Sequence, residues 1–489
     1  MYSFNKSRRD FFKTVTFAGG TLFISGLGAY FIYRNPETVD RVISKLERHQ
    51  KGRVIRDRIL LEEYRTDFGK VVIGEPRVVV IPHDEEDIIA IFKIANELQV
   101  PVSIRGAGHT CFGQSLSDGG ILLVNRSVNA EFSLVDDQIS VSTRSQWMEL
   151  ETSINPMGYT SPVLTDFLEL TVGGTLSVGG YGLRSFLYGS QADNITEMEM
   201  ILSDGQRVTC STKSNSDLFR FSLCGLGQLG FINKVKFKPI DYKPYTLVFY
   251  ILCRTIDEYI STVGSIMSPD FAKQIDHFSS YWVGGSFIIE IGRSYGDDKV
   301  NALMEKFIKT VKRRFSYYKK TMVKDYHLFL HRIRNDWVNQ YSPAHHLWED
   351  YIFELEGLKD FLSNVILKEK IQRQQDILPA LYLVACNNER TASLPFSPTY
   401  GKDTGITYSV GFYYMIKFGD QEKLTIAKQK LKDSMEYCIK AEGRPYLYGW
   451  HDLSENQKKH FYGDDYEKIK ILKRRYDPNN IVNPGKLIA

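Results

Sequence analysis

Apolar and polar positions change their spacing several times along the chain, and each change marks an element. Arg41 to Arg65 is charged and carries Ile43, Leu46, Ile55, Ile59 and Leu60 at mixed helical spacings, which predicts a linker helix within residues 36–70. Val78-Val79-Val80-Ile81 is a short apolar run stopped by Pro82, the pattern of a buried strand. Asp84-Glu85-Glu86-Asp87 puts acids at a helix start, where they face unpaired N–H groups, and Ile88 to Leu98 continues that helix. Val100 to Ile104 and Ile121 to Val124 are the next strands, with a glycine-bearing loop between them. Strand, helix and strand over ~45 residues make a βαβ unit, whose loop after the second strand is the natural ligand position.

Strand and turn patterns continue to Pro239, and residues 71–240 read as one ligand-binding domain. Beyond it, 245–253 and 286–292 are strands, and Thr255 with Glu258 is a capping box opening a helix to about Met267. Helical patterns at 297–313, 355–370 and 420–441 alternate with strands at 380–386 and 406–417. Residues 241–440 are therefore expected to form an α+β domain on one antiparallel sheet. Residues 441–489 end in the turn-rich run Tyr476 to Lys486 and read as a closing segment.

Composition narrows the class. At 489 residues the chain exceeds one average domain, and 43% hydrophobic with 25% charged residues excludes disordered, collagen-like and multi-span proteins. Lys+Arg 62 against Asp+Glu 58 is too balanced for a nucleic-acid binder. Twenty-nine Tyr and 29 Phe are enough to furnish flat pockets for planar ligands. Cys111, Cys210, Cys224, Cys253, Cys386 and Cys438 form no CxxC pair, which excludes a zinc ribbon and a disulfide-dense scaffold but leaves room for one or two bridges.

One stretch departs from this average. Thr14 to Tyr33 holds no charge, and its 20 residues would span ~30 Å as a helix, one bilayer core. Before it, Ser7-Arg8-Arg9-Asp10-Phe11-Phe12-Lys13 resembles the twin-arginine export signal, with Phe12 in place of the usual Leu. Gly26-Leu27-Gly28 is a poor cleavage site, and Tyr30, Phe31 and Tyr33 before Arg34 suit an interfacial belt. Residues 1–35 are expected to be a twin-arginine leader or transmembrane anchor, with an ordinary signal-anchor as the alternative. The expected partners are a membrane and the twin-arginine translocase. The expected location is the bacterial inner membrane facing the periplasm, or the periplasm or exterior if the leader is cleaved.

Gly225-Leu226-Gly227-Gln228-Leu229-Gly230 matches GxGxxG by letter, but Phe231 to Pro239 after it alternates as a strand, where a dinucleotide fingerprint needs a helix. His327 and His331 are four apart without the Glu of a zinc helix, so they read as core or surface histidines, and no metal is expected. Arg105-Gly106-Ala107-Gly108-His109-Thr110-Cys111-Phe112-Gly113-Gln114 is more telling: its glycines let backbone approach a ligand, and successive N–H groups can form an anion nest. Thr165-Asp166 through Thr171-Val172-Gly173-Gly174-Thr175-Leu176-Ser177, and Gly189 to Glu199, supply further close-approach glycines and hydroxyls.

Together these blocks resemble the FAD-binding domain of the vanillyl-alcohol-oxidase (PCMH-type) flavoproteins, and within them the cytokinin dehydrogenases. Thr66-Asp67-Phe68-Gly69 is similar to the family's opening motif, and Arg105 to Gln114 to its RGxGHS..GQ, with Thr for Ser. Leu164 to Ser177 follows WTDYLxLTVGGTLS, Cys224 to Ile232 follows GGLGQFGVI, and Tyr446-Leu447 with Tyr476 to Gly485 echo the C-terminal motifs. The resemblance implies an α+β fold: a two-subdomain FAD-binding domain, an α+β substrate-binding cap and a C-terminal return to the FAD domain. It implies that His109 joins the flavin covalently or lies beside it, and that Arg105, Gly106, Ala107, Gly108, Thr110, Gly113 and Gln114 cradle FAD. Thr171, Gly174, Thr175, Ser177, Asp193, Asn194, Ile232, Tyr446 and Lys486 would complete the cofactor site, with Lys486 standing where the family has Gln. Asp166 matches the catalytic Asp that accepts a hydrogen bond from a substrate amine, and Leu447 would touch the substrate.

The resemblance weakens in the cap. Ala344-His345-His346-Leu347-Trp348 has Leu for the family Pro, and Asn387 to Ser393 lacks the Trp that closes the substrate pocket. Asp276 is the nearest candidate for the second acidic substrate contact. The implied activity is an FAD-dependent oxidoreductase taking hydride from a C–H beside an amine, with oxygen or a quinone as electron acceptor. The same fold also oxidises sugar alcohols, aldonolactones and lipid-linked sugars, and a non-catalytic flavin protein is a third reading. Asp166 and His109 favour the first.

Overall fold

A computed structural model describes residues 36–127, 130–371, 380–389, 394–402 and 405–488. The expected leader lies outside these residues. Among the described residues no helix is long and apolar enough to cross a membrane.

The βαβ expectation holds. Val78–Ile81, the helix Glu85–Leu98 and Val102–Arg105 follow in order, and Ile121–Val124 inserts between the two strands, parallel to both. Asp84 caps the helix by accepting from Asp87 N at 3.2 Å, and Ile88, Ile91, Phe92 and Ala95 bury against the sheet. The predicted linker helix needs correction. It is helical over Pro36–His49, then Arg53–Ile55 becomes an edge strand antiparallel to Val78–Ile81. The cause is tertiary: the buried Asp87 carboxylate accepts from Lys51 N, Gly52 N and His83 N at 2.8–2.9 Å, fixing the chain in an extended path.

A second, antiparallel sheet runs Phe132–Val135, Gln138–Ser142, Phe231–Phe237, Ile195–Ile201 and Arg207–Ser211 in spatial order. Phe231–Phe237 is thus the strand expected behind the GxGxxG decoy. The cap is built on one eight-stranded sheet in the order Tyr317–Lys324, Tyr245–Cys253, Ser286–Tyr295, His277–Val283, Ala380–Asn387, Ile406–Lys417, Ala344–Phe353 and Arg444–Pro445. Every neighbouring pair is antiparallel, as expected. The helices Ile256–Ile266, Leu355–Ile371 and Gln421–Lys440 cover one face. Successive residues point to opposite faces of a strand, so along Ala344–Phe353 Tyr351 meets Phe361 on the helix side while Trp348 and Asp350 face the cavity described below. The helix Tyr326–Asn339, which the sequence pattern did not show, closes that side.

The chain then returns to its start. After the helix Glu455–Tyr476, Val102 N donates to Ile481 O and Asn483 N to Val102 O, at 2.7 and 2.9 Å. All six cysteines are free and buried, so the room left for a bridge is not used.

Candidate active site

A cavity of about 470 Å³ lies between the two-sheet N-terminal domain and the cap. One part of its wall is backbone and small side chains. The strand Val102–Arg105 ends in Gly106, where a Cβ would meet Thr171 Oγ1 at 2.2 Å, and Gly108 takes φ +74°, which glycine adopts without strain. Thr171 opposite accepts from Gly174 N at 3.2 Å, and Trp147 Nε1 donates to Thr175 Oγ1 at 2.9 Å, so both hydroxyls are fixed. Of the residues expected at the site, Gly106, Ala107, Gly108, His109, Thr110, Gln114, Asp166, Thr171, Gly174, Thr175, Ser177, Ile232 and Tyr446 line this cavity. Leu226 and Gly227 of the decoy motif also line it.

Six expected residues are not on the wall. Arg105 donates from Nη1 to Thr66 O at 2.9 Å and backs the Gly108 turn. Gly113 N donates to Asp67 Oδ2 at 2.7 Å, and Lys486 Nζ donates to Gly113 O at 2.7 Å. Burial lowers the Lys486 pKa to about 8, against the pull of Asp67 and Asp118. Asp193 receives Ser190 N and Oγ, and Asn194 donates to Tyr188 O and Ser190 O, so both hold a turn. Leu447 is buried and offers its carbonyl to Gln114 Nε2 at 3.0 Å. These six support the site from behind. Asp276 is also off the wall; its Oδ2 accepts from Ser294 N at 2.7 Å.

His109 sits in an aromatic box. Phe68 stacks on it at 4.0 Å, Phe167 lies at 4.8 Å and Trp348 at 6.0 Å, with His346 on the other face of Phe68 at 4.3 Å. Burial, helped by His346, pushes the His109 pKa down to about 3, so its imidazole is neutral. Its Nε2 is buried without a hydrogen-bond partner among the described residues. A neutral imidazole with unused capacity, glycine backbone open to close approach and broad apolar walls fit an FAD.

The remaining wall comes from the cap and is polar and aromatic. Arg334 Nε donates to Asp166 Oδ2 at 3.3 Å, and the two side chains are 21% and 11% exposed. The guanidinium lies 4.8 Å over Tyr382 and 5.9 Å over Tyr281. Burial opposes its charge, but Asp166, Tyr382 and Glu290 more than offset that and raise its pKa. Glu290, buried nearby, receives Tyr326 Oη at 2.9 Å; burial raises its pKa against the opposing Arg334. His331, one helical turn before Arg334, accepts Leu168 N at 3.2 Å and pins the Asp166 loop. His331 is buried and His327 half-buried, and no metal-binding cluster occurs among the described residues. Farther along the wall, Asp350 accepts from Tyr448, Tyr413 and Ser409 hydroxyls, and burial raises its pKa to about 6 against those bonds. The sequence pattern pointed to Asp166 and His109 but not to Arg334, Tyr382 or Asp350, which lie in ordinary-looking helix and strand runs. The only prior sign was Asp350 standing two residues after Trp348 on one strand face.

A family model described as "FAD binding domain" matches residues 76–211, and one described as "Cytokinin dehydrogenase 1, FAD and cytokinin binding" matches residues 249–489. The chain is 27% identical to cytokinin dehydrogenase 3 of Arabidopsis thaliana, covering 89% of this chain and 90% of that one. It is 24% identical to cytokinin dehydrogenase 7 of Oryza sativa subsp. japonica, covering 86% and 88%. An "Uncharacterized oxidoreductase ORF5 in fasciation locus" of Rhodococcoides fascians is 35% identical over 36% of this chain and 40% of that protein.

Proposed function

Because the chain is an FAD-dependent oxidoreductase of the cytokinin dehydrogenase type, we propose that its substrate is a cytokinin-like N-alkyl aminopurine, oxidised at the C–H beside the amine. When bound, the flavin supplies the hydride acceptor. Asp166 supplies the chain's own chemistry. Arg334 holds its Oδ2, which leaves Oδ1 to accept the amine N–H as the C–H bond breaks. Drawing off that proton avoids a full cation, an effect typically worth ~10²–10⁴ in rate. His331 keeps the Asp166 loop in place, and Trp348, Tyr413, Tyr281 and Tyr382 present flat apolar faces that exclude water. The observation that carries this reading is a carboxylate in the same cavity wall as the glycine loops. Asp166→Asn should retain flavin yet lose at least ~10²-fold in anaerobic flavin reduction by an N-isopentenyl aminopurine. Reduction at the wild-type rate would sink the assignment.

FAD, on our reading, is joined through His109, which its neutral charge and unused Nε2 support. Acid-precipitated protein should then keep yellow colour and in-gel fluorescence, and His109→Ala should release the flavin under the same treatment. Ser7 to Lys13 and the uncharged run behind it support a third proposal, that the enzyme works at or beyond a bacterial inner membrane. Replacing Arg8 and Arg9 by Lys should then leave the full-length protein in the cytoplasmic fraction. The electron acceptor on this proposal is oxygen or a quinone, separable by the rate at which each reoxidises the reduced enzyme.

A further inference from the structure

Among the described residues, Arg334 makes one hydrogen bond, from Nε to Asp166, and its Nη2 is buried with no partner. The side chain lines the substrate part of the cavity, and Tyr382 and Tyr281 fix its plane from their ring faces. A buried guanidinium nitrogen with unused N–H donors, here Nη2, is costly, and an acceptor brought by a ligand relieves that cost. The carboxylate beside it offers an acceptor. The wall thus presents an acceptor and a donor side by side, between aromatic surfaces suited to a planar ring.

We propose that Arg334 is a specificity-determining residue: with Asp166 it reads the donor–acceptor edge of an amino-substituted nitrogen heteroaromatic, Asp166 taking the exocyclic N–H and Arg334 donating to the adjacent ring nitrogen. This rests on the oxidation of an aminopurine proposed above and assigns the contact that selects it. Arylamines and alkylamines without the ring nitrogen can still meet Asp166, but they leave Arg334 Nη2 without an acceptor. A site built around a buried hydrogen bond rejects the analogue that cannot make it.

The test uses flavin-loaded enzyme and ligands that bind without reacting. 6-Anilinopurine carries the N–H but no C–H beside it, and its 1-deaza and 7-deaza analogues replace each flanking ring nitrogen by C–H. Dissociation constants are read from the perturbation of flavin absorbance and from thermal shift. Wild type should bind the purine roughly 10- to 100-fold tighter than one of the two deaza compounds, the size of one hydrogen bond to a charged group. In Arg334→Met that ratio should fall to about 1–2, with the deaza affinity nearly unchanged. A wild-type ratio near 1 for both analogues overturns the proposal without needing any variant. So does an Arg334→Met enzyme that weakens all three ligands equally, because Arg334 would then act only by positioning Asp166. Arg334→Gln serves if the Met variant does not load flavin. Failure of wild-type enzyme to be reduced by an N-alkyl aminopurine is a separate result, which overturns the proposed reaction whatever the binding ratio.

Discussion

Asp350 shows how much one side chain can tie this fold to pH. Its carboxyl is buried on the cavity wall, and burial outweighs three hydroxyl donors to raise its pKa from 3.8 to about 6. The folded state therefore holds this proton more tightly than the unfolded chain does. Its contribution to stability is fully present below about pH 4 and is lost as pH rises through about 6. The two-unit difference corresponds to about 3 kcal/mol. Asn cannot titrate, so the wild-type minus Asp350→Asn difference in unfolding free energy should fall by up to that amount between pH 4 and pH 7. Urea titrations across this range measure it, and a difference independent of pH would remove Asp350 as the source. At the residue scale the sequence spoke most clearly where backbone must approach a ligand. Gly106 and Gly108 flag the loop that carries His109, while Asp166 stands out only through the likeness of Leu164 to Ser177 to the family motif. Asp350 and Arg334 carry no such flag, because nothing local distinguishes a cavity-facing acid or arginine from one facing solvent.

Elements were legible where apolar spacing and caps agree. Glu85–Leu98 has both an Asp84 cap and a buried apolar face, and it appears where the pattern put it. Arg53–Ile55 was hidden for the opposite reason: three residues have no usable period, and a distant carboxylate sets their conformation. Tyr317–Lys324 was masked by its exposed lysines, since it is an edge strand of the cap sheet. Asp87 is then the residue on which the N-terminal strand depends. Asp87→Ala leaves Lys51 N, Gly52 N and His83 N without their acceptor, and hydrogen bonds to a charged group are worth about 1.5–3 kcal/mol each before relaxation. A loss of at least ~2 kcal/mol is expected. Hydrogen exchange should show faster exchange confined first to residues 51–55 and 78–81. A variant as stable as wild type, with those amides still protected, would show that packing of Val42, Ile43 and Leu46 holds the strand instead.

The whole molecule is closed by a segment that sequence marked only as turn-rich. The tail pairs with Val102, and Asn483 accepts from Ile104 N at 2.8 Å while donating to Leu226 O and Gly227 O. It thereby joins the strand that leads into Arg105–His109 to the decoy motif itself. With every cysteine buried and free, no covalent link shares that task, so native protein should give almost no reaction with a thiol reagent, and all six should react on unfolding. A reactive native thiol would show that the cap opens in solution. The tail itself turns on Lys473. Its Nζ donates to Asp477 Oδ2 at 2.7 Å, Gln228 O at 2.9 Å and Val482 O, and Asp477 also receives Ile481 N and Val482 N. Burial lowers the Lys473 pKa while Asp477 opposes that shift. Removing one partner of such a pair strands the other charge, which typically costs about 3–5 kcal/mol. Lys473→Met should lower Tm by several degrees and lower the flavin-to-protein ratio with it, because the tail positions Val102 and Ile104 beneath the flavin loop. Lys359→Ala, which breaks an exposed pair with Asp257, should move neither by more than a degree or so. A Lys473→Met protein with reduced Tm but full flavin content would separate the tail from the cofactor and confine its role to holding the two halves of the chain together.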